Sequence, residues 1–293
     1  MKANKSTIST VILVVLLLVG LSVMLYPTVS DWWNSRVQTR AIATYSEAVD
    51  QIDDNTYEEM LEKARAYNAA LSKVYAPFTS YEEVPGYEDV LDISGTGILG
   101  YISIPQIKVD LPIYHGTSAE VLNIAAGHLQ GSSLPVGGEN THAVISAHRG
   151  LPSARLFTDI DQLREGDTFT ITVLDEVLTY EVEQILIVRP EEIDKLAVIP
   201  GGDYVTLMTC TPYGINTHRL LLRSHRIDTV YQKDVRIIAD AVQVDPLLVV
   251  PAISAPLLVL LLCYWMIGGR RKVPQNVMGF NKHQRMLHAK LLR

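Results

Sequence analysis

The sequence predicts a mainly β protein: a closed or nearly closed barrel of short strands with short helices, preceded by a helical segment and flanked by two transmembrane helices. Three observations lead there. Between Gly100 and Ile227, short runs rich in Val, Ile, Thr, Leu and Tyr are separated by turn signals, the pattern of a barrel built from many short strands. Ahead of them, apolar residues recur at helical spacing. Near each end, a charge-free apolar run approaches or reaches the roughly 20 residues that cross a bilayer as a helix.

In chain order, residues 1–6 carry Lys2 and Lys5, and 7–26 are expected to form a transmembrane anchor. A cleaved signal peptide has the same basic start and apolar centre. This run is long for one, and no small-x-small cleavage site follows it. Residues 27–74 read as a helical segment outside the membrane. Trp33, Val37, Ile42, Tyr45, Val49 and Ile52 form one stripe, and Tyr57, Leu61, Ala64, Asn68 and Leu71 a second. Asp53-Asp54-Asn55 ends the first and starts the second. Residues 75–92, with Pro77, Pro85 and Gly86, form a linker or lid.

Residues 93–230 are the barrel. Strands are expected at Tyr101–Ile104, Ile107–Tyr114, His142–Ala147, Thr168–Leu174, Leu178–Val188, Tyr204–Cys210 and Leu220–Ile227. Turns fall at Pro105–Gln106, Gly137–Gly138, Asp175–Glu176 and Pro200–Gly201–Gly202. A juxtamembrane segment, 231–246, leads to a second transmembrane helix at 247–267. Its length, Pro251 and Pro256, and the Arg270-Arg271-Lys272 stop that follows distinguish it from a core helix. Residues 268–293 form a basic cytoplasmic tail.

Charge sets the orientation. All 32 acidic residues lie between 27 and 246, with 16 of the 25 Lys and Arg, a formal charge of −16; both ends are purely basic. The positive-inside rule then places both termini in the cytoplasm and the acidic middle outside. Such a domain lacks the basic face that nucleic acid requires.

The chemistry begins with a lone thiol. Cys263 lies in the second apolar run, so Cys210 is alone in the outside domain. An extracellular cysteine normally pairs in a disulfide; an unpaired one is reactive or incidental. Cys210 ends the strand Val205-Thr206-Leu207-Met208-Thr209 and precedes Thr211-Pro212-Tyr213-Gly214, a rigid mount opening onto a turn. A nucleophilic thiol needs a base, usually His. His148 stands in the same strand-end setting after Ala143-Val144-Ile145-Ser146-Ala147, whereas His142 starts that strand and falls on the opposite rim. A hairpin after Cys210 brings Arg219 beside it, where a planar cation suits a developing oxyanion. His115, His128, His218 and His225 receive no chemical role. The lone Cys and scattered His lack a zinc spacing.

Thr206-Leu207-Met208-Thr209-Cys210 resembles the signature strand of the sortases, in which Thr-Leu-x-Thr-Cys ends in the nucleophile. Residues 211–219, Gly127-His128-Leu129-Gln130-Gly131-Ser132-Ser133-Leu134-Pro135 and Ser146-Ala147-His148-Arg149-Gly150-Leu151-Pro152 are similar to the class C, or pilus-assembling, members. The resemblance covers roughly Gly100 to Arg226. It implies an eight-stranded sortase-type β-barrel and a cysteine transpeptidase without cofactor or metal. Cys210 would be the nucleophile, His148 the general acid and then base, and Arg219 the ligand of substrate and oxyanion. The implied partners are secreted surface proteins or pilin subunits bearing a C-terminal Leu-Pro-x-Thr-Gly-like signal, cleaved between Thr and Gly through a thioester. The acceptor amine would belong to a pilin Lys or to a cell-wall precursor. The implied location is the plasma membrane of a Gram-positive-type bacterium, with the catalytic domain outside.

One stretch departs from the family. Class C members carry a lid with an Asp-Pro-aromatic motif, whereas Tyr75-Ala76-Pro77-Phe78 has Ala76 in place of the Asp. Pro77 and Phe78 stay as lid candidates, an ordinary turn being the other reading, and Glu82 or Glu83 could supply the missing acid. Thr209 is expected to face away from Cys210 and order the site from behind. Two rivals of other classes are a tethered barrel that binds peptide without cleaving it and a peptidase that only hydrolyses.

Overall fold

A computed structural model describes residues 5–93 and 95–229. The expected segments at 231–246, 247–267 and 268–293 lie outside the described residues, as does Cys263.

The anchor and the first amphipathic stripe are one helix, α1, Lys5–Val49. No Gly pair or turn cluster separates them, and Pro27 removes one N–H without ending the helix. Its Ser9–Val49 portion is long and apolar enough to cross a membrane. Asp53 caps α2, Asp54–Leu71: Asn55 and Thr56 donate their backbone N–H groups to its carboxylate, each at 3.0 Å. Both helices dock on the barrel through polar residues set within their apolar stripes. The buried Tyr45 hydroxyl donates to the Leu99 carbonyl (3.0 Å) and accepts from Leu174 N–H (2.7 Å). Asn68 donates to the Leu134 carbonyl and accepts from its N–H, at 3.1 and 2.7 Å. These bonds explain an Asn inside an apolar stripe.

The barrel strands are β1 (Ile98–Ile104), β2 (Val109–His115), β3 (Ala126–His128), β4 (Thr141–Ser146), β5 (Thr168–Val173), β6 (Glu176–Val188), β7 (Asp203–Thr211) and β8 (His218–Ile227). They close in the order β1-β2-β3-β4-β7-β8-β6-β5. The pairs β2·β3 and β4·β7 are parallel and the others antiparallel. Seven of the eight strands coincide with sequence expectations to within a few residues. The eighth, β3, spans three residues, too short to show any period. Inward residues such as Ile102, Ile113, Ile145, Leu207, Phe169 and Leu222 are essentially inaccessible to solvent. Each such side chain contributes about 1.5–3 kcal/mol by leaving water.

Candidate active site

Strand register assembles the site. In β7, Val205 and Leu207 point into the core, so the alternate residues Thr206, Met208 and Cys210 face outward. β7 and β8 pair Cys210 with Arg219 and Met208 with Leu221, and directly opposed residues share a face. β6 extends the rows, pairing Val188 with Arg219 and Leu186 with Leu221. On the other side, β4 runs parallel to β7 with Ser146 opposite Met208. Ala147 N–H donates to the Met208 carbonyl (3.2 Å), so the chain delivers His148 to the rim where Cys210 ends its strand.

Cys210 is a free thiol, partly exposed. His148 is half-buried, and that burial pushes its imidazole below the ordinary histidine range, favouring the neutral form. Among the described residues, Arg219 meets no carboxylate; its guanidinium reaches only the carbonyls of His218 (3.2 Å) and Asn216 (3.5 Å). Neither Glu82 nor Glu83 pairs with it. Thr209 points inward and is buried, and its hydroxyl donates to the Ala147 carbonyl at 2.8 Å, joining β7 to the start of the His148 loop.

Below the polar row lies an apolar floor. Val144, Val188, Leu196 and Leu221 form a cluster separate from the barrel core, and Met208, Leu186, Leu129 and Phe78 pack against it. Phe78 arrives on a one-turn helix, α3, Pro77–Ser80, entered through Ala76 in the left-handed region (φ 54°). The lid stretch lies so close to Gly131 (φ +89°) that a Cβ there would be 2.6 Å from the Pro77 carbonyl oxygen and 2.7 Å from Phe78 Cα. Beside Phe78 opens a cavity of about 370 Å³, lined by Pro77, Phe78, His142, Leu196 and Val198 among others; Cys210, His148 and Arg219 do not line it. The floor residues were not singled out from sequence. Their signal was present, because the runs Ala143-Val144-Ile145 and Leu220-Leu221-Leu222 are continuously apolar, as strands covered on both faces are.

Other histidines are bonded elsewhere. His142, at the far end of β4, bonds the Ala197 carbonyl (2.9 Å) through Nδ1 and the Thr206 hydroxyl (2.7 Å) through Nε2. His128 bonds the Tyr87 hydroxyl and the Ser133 carbonyl, each at 2.8 Å, and burial pushes its imidazole down to about 4. His115 faces the carbonyls of Val90 and Gly97, and His218 pairs with the Thr217 hydroxyl. No group of three or more metal-ligating side chains converges among the described residues.

Comparison with known proteins agrees with the barrel fold. The family model for the Sortase domain matches residues 102–227. The crystal structure of sortase C1 from Streptococcus agalactiae is 48% identical, with a TM-score of 0.62 over 65% of this chain and 100% of that one. The structure of Clostridium perfringens sortase C with the C-terminal cell wall sorting motif is 44% identical, with a TM-score of 0.58 over 65% of this chain and 100% of that one. Sortase A of Streptococcus agalactiae is 32% identical over 117 residues, 39% of this chain and 47% of that protein. Sortase D of Bacillus subtilis is 30% identical over 114 residues, so the match spans about half the length of each of these two relatives.

Proposed function

We propose that this chain, which belongs to the sortase family of cysteine transpeptidases, cleaves a Leu-Pro-x-Thr-Gly-like sorting signal between Thr and Gly and passes the acyl group to an amine. The supporting observation is the register row that sets Cys210 opposite Arg219, with His148 leaving the neighbouring parallel strand at the same rim. In this reading the neutral imidazole of His148 first takes the Cys210 proton, which prepares the ring to act as acid toward the leaving amine and then as base toward the acceptor. The thiolate attacks the Thr carbonyl carbon. The negative charge on the carbonyl oxygen falls to Arg219. Collapse of the tetrahedral adduct breaks the Thr–Gly bond. His148, now imidazolium, gives its proton to the departing amine. The thioester retains acyl-transfer potential, and an incoming amine, deprotonated by His148, releases Cys210.

A pilin Lys is the proposed acceptor, which makes the product an isopeptide-linked polymer. The likeness to solved class C structures and the candidate lid support that choice over a cell-wall precursor amine. With Ala76 where an acid would latch Arg219, the proposed lid is held without that ion pair, by the apolar seat of Phe78 and the close approach of Pro77 and Phe78 to Gly131. The charge pattern supports an outside-facing catalytic domain with both termini cytoplasmic. Sortases are membrane-associated, and α1 supplies one apolar helix of spanning length.

The test is to incubate the full chain in detergent with Leu-Pro-x-Thr-Gly peptides, with or without a Lys peptide or glycine, and read the products by mass spectrometry. A Cys210-linked acyl adduct that added amine diverts to a new amide is the expected outcome. Hydrolysis that amine leaves unchanged would make the protein a peptidase. Binding without an adduct, equal in Cys210→Ala, would make it a tethered peptide-binding barrel.

A further inference from the structure

The loop carrying His148 and the loop following Cys210 come from different strands, and among the described residues no hydrogen bond joins 148–152 to 212–217. One side chain crosses between them. Gly150 has φ +77°, and a Cβ there would lie 2.6 Å from Tyr213 Cε2 and 2.9 Å from its Cζ, so the Tyr213 ring rests on the bare Gly150 backbone. The ring also stands 6.0 Å from the Arg149 guanidinium carbon, within cation–π range. Arg149 is itself pinned by an ion pair to Asp161, with its side chain 11% exposed. Gly150 N–H is held by the Thr158 hydroxyl (3.1 Å), and the His148 carbonyl by Phe157 N–H (3.1 Å).

The His148 loop is therefore tied on its far side and, at Ala147, to β7, while beyond His148 it meets the Cys210 loop through an aromatic ring. Tyr213 is 60% exposed, and its hydroxyl has no hydrogen-bond partner among the described residues. A ring so exposed adds little to the core, which leaves its contact with Arg149 and Gly150 as its structural content.

We propose that Tyr213 is a positioning residue, clamping the His148 loop through Gly150 and Arg149 so that the imidazole stays in reach of the Cys210 thiol. This rests on the catalytic reading above. The ring supplies the clamp and the hydroxyl does not, so Tyr213→Phe retains the function and Tyr213→Ala loses it. Gly150→Ala expels the ring from the other side and gives the same loss with Tyr213 in place. A displacement near 1 Å can cost on the order of 100-fold in rate.

The test measures alkylation of Cys210 by iodoacetamide in the full chain, read on the Cys210 peptide, from about pH 5 to 9, a range spanning the ordinary thiol value near 8.5. Wild type, Tyr213→Phe, Tyr213→Ala, Gly150→Ala and His148→Ala are compared. The Tyr213→Phe profile should match wild type, and those of Tyr213→Ala and Gly150→Ala should move toward His148→Ala. With a Leu-Pro-x-Thr-Gly peptide, kcat should fall about 10- to 100-fold in the last two positioning variants while KM stays within about twofold. A wild-type profile in Tyr213→Ala, or a loss confined to KM, would overturn the role and make the ring a peptide contact. Identical profiles in wild type and His148→Ala would instead remove the Cys–His pairing itself, and the clamp with it.

Discussion

Strand β4 has a histidine near each end, and their surroundings differ in kind. At its start, His142 has a bond on each ring nitrogen. Nearby, Asp203 accepts from Gly138 N–H (2.9 Å) and the Tyr180 hydroxyl (3.0 Å). Past the other end, the side chains of His148 and Cys210 make no hydrogen bond among the described residues, and Arg219 touches only carbonyls of its own turn. Buried polar groups are normally paired, and the bonds that His142 makes through both ring nitrogens read as structure. A rim that leaves a thiol, an imidazole and a guanidinium uncommitted keeps them available for a substrate. The same residue type thus meets opposite surroundings at the two ends of one strand.

The sharpest way to break that contrast is to remove the uncommitted groups. Cys210→Ala and His148→Ala should each lower acyl transfer by at least about 10³-fold, and Arg219→Ala by about 10²–10³-fold. All three side chains are only partly buried and make no hydrogen bond outside their own turn among the described residues, so the variants should stay within about 1 kcal/mol of wild type in thermal unfolding. A variant of this set that unfolds early would place that side chain among the structural groups.

His142→Ala tests the opposite rim. It strips partners from the Ala197 carbonyl and the Thr206 hydroxyl and opens a hole, so chemical denaturation should show a loss of about 2–4 kcal/mol. Activity per folded molecule should change far less than in His148→Ala. Equal activity losses would dissolve the distinction between the two histidines.

The buried histidines also set a pH limit. His128 is held at about 4 in the folded state against about 6.5 when unfolded. Between those values the unfolded chain binds more protons, so stability falls as pH drops from about 6.5 to 4 and levels off below. The expected loss is on the order of 3 kcal/mol, with the lowered His142 acting in the same direction. Denaturation midpoints across that range check it, and a flat profile would show that His128 carries no such penalty. The smallest effect concerns the lid: Phe78→Ala should raise the alkylation rate of Cys210 severalfold by vacating the floor formed by Val144, Val188, Leu196 and Leu221. Identical rates would make residues 76–80 an ordinary turn.

Much of this molecule was legible before its fold. The apolar stripe of α2, the Asp53 cap and seven strands follow from local periodicity and turn chemistry, whereas of the α1 stripe only Tyr45 and Val49 are buried, Trp33 and Val37 being exposed and Ile52 lying beyond the helix. Cys210 stood out as an unpaired thiol at a strand end. The three-residue β3 was invisible because a strand that short carries no period. The sequence also did not show that the anchor and the first amphipathic stripe form one continuous helix. Gly131, Gly150 and Tyr213 were hidden for another reason. A glycine that makes room for a neighbouring chain looks like any turn glycine until that chain is in place.

By itself the sequence determined which groups could act: one thiol outside the two apolar end runs, a histidine and an arginine at strand ends, and an acidic domain between basic termini. Those follow from residue identity and short-range pattern, which do not depend on distant partners. Only the tertiary structure decided that β4 lies beside β7 and parallel to it, with β5 and β6 inserted in the crossover between them. That pairing joins residues some sixty positions apart, and its loop-closure cost is met by the assembled barrel core rather than by any local signal. The same closure puts His148 and Cys210 on one rim, lays Phe78 on the apolar floor and brings the Tyr213 ring onto Gly150.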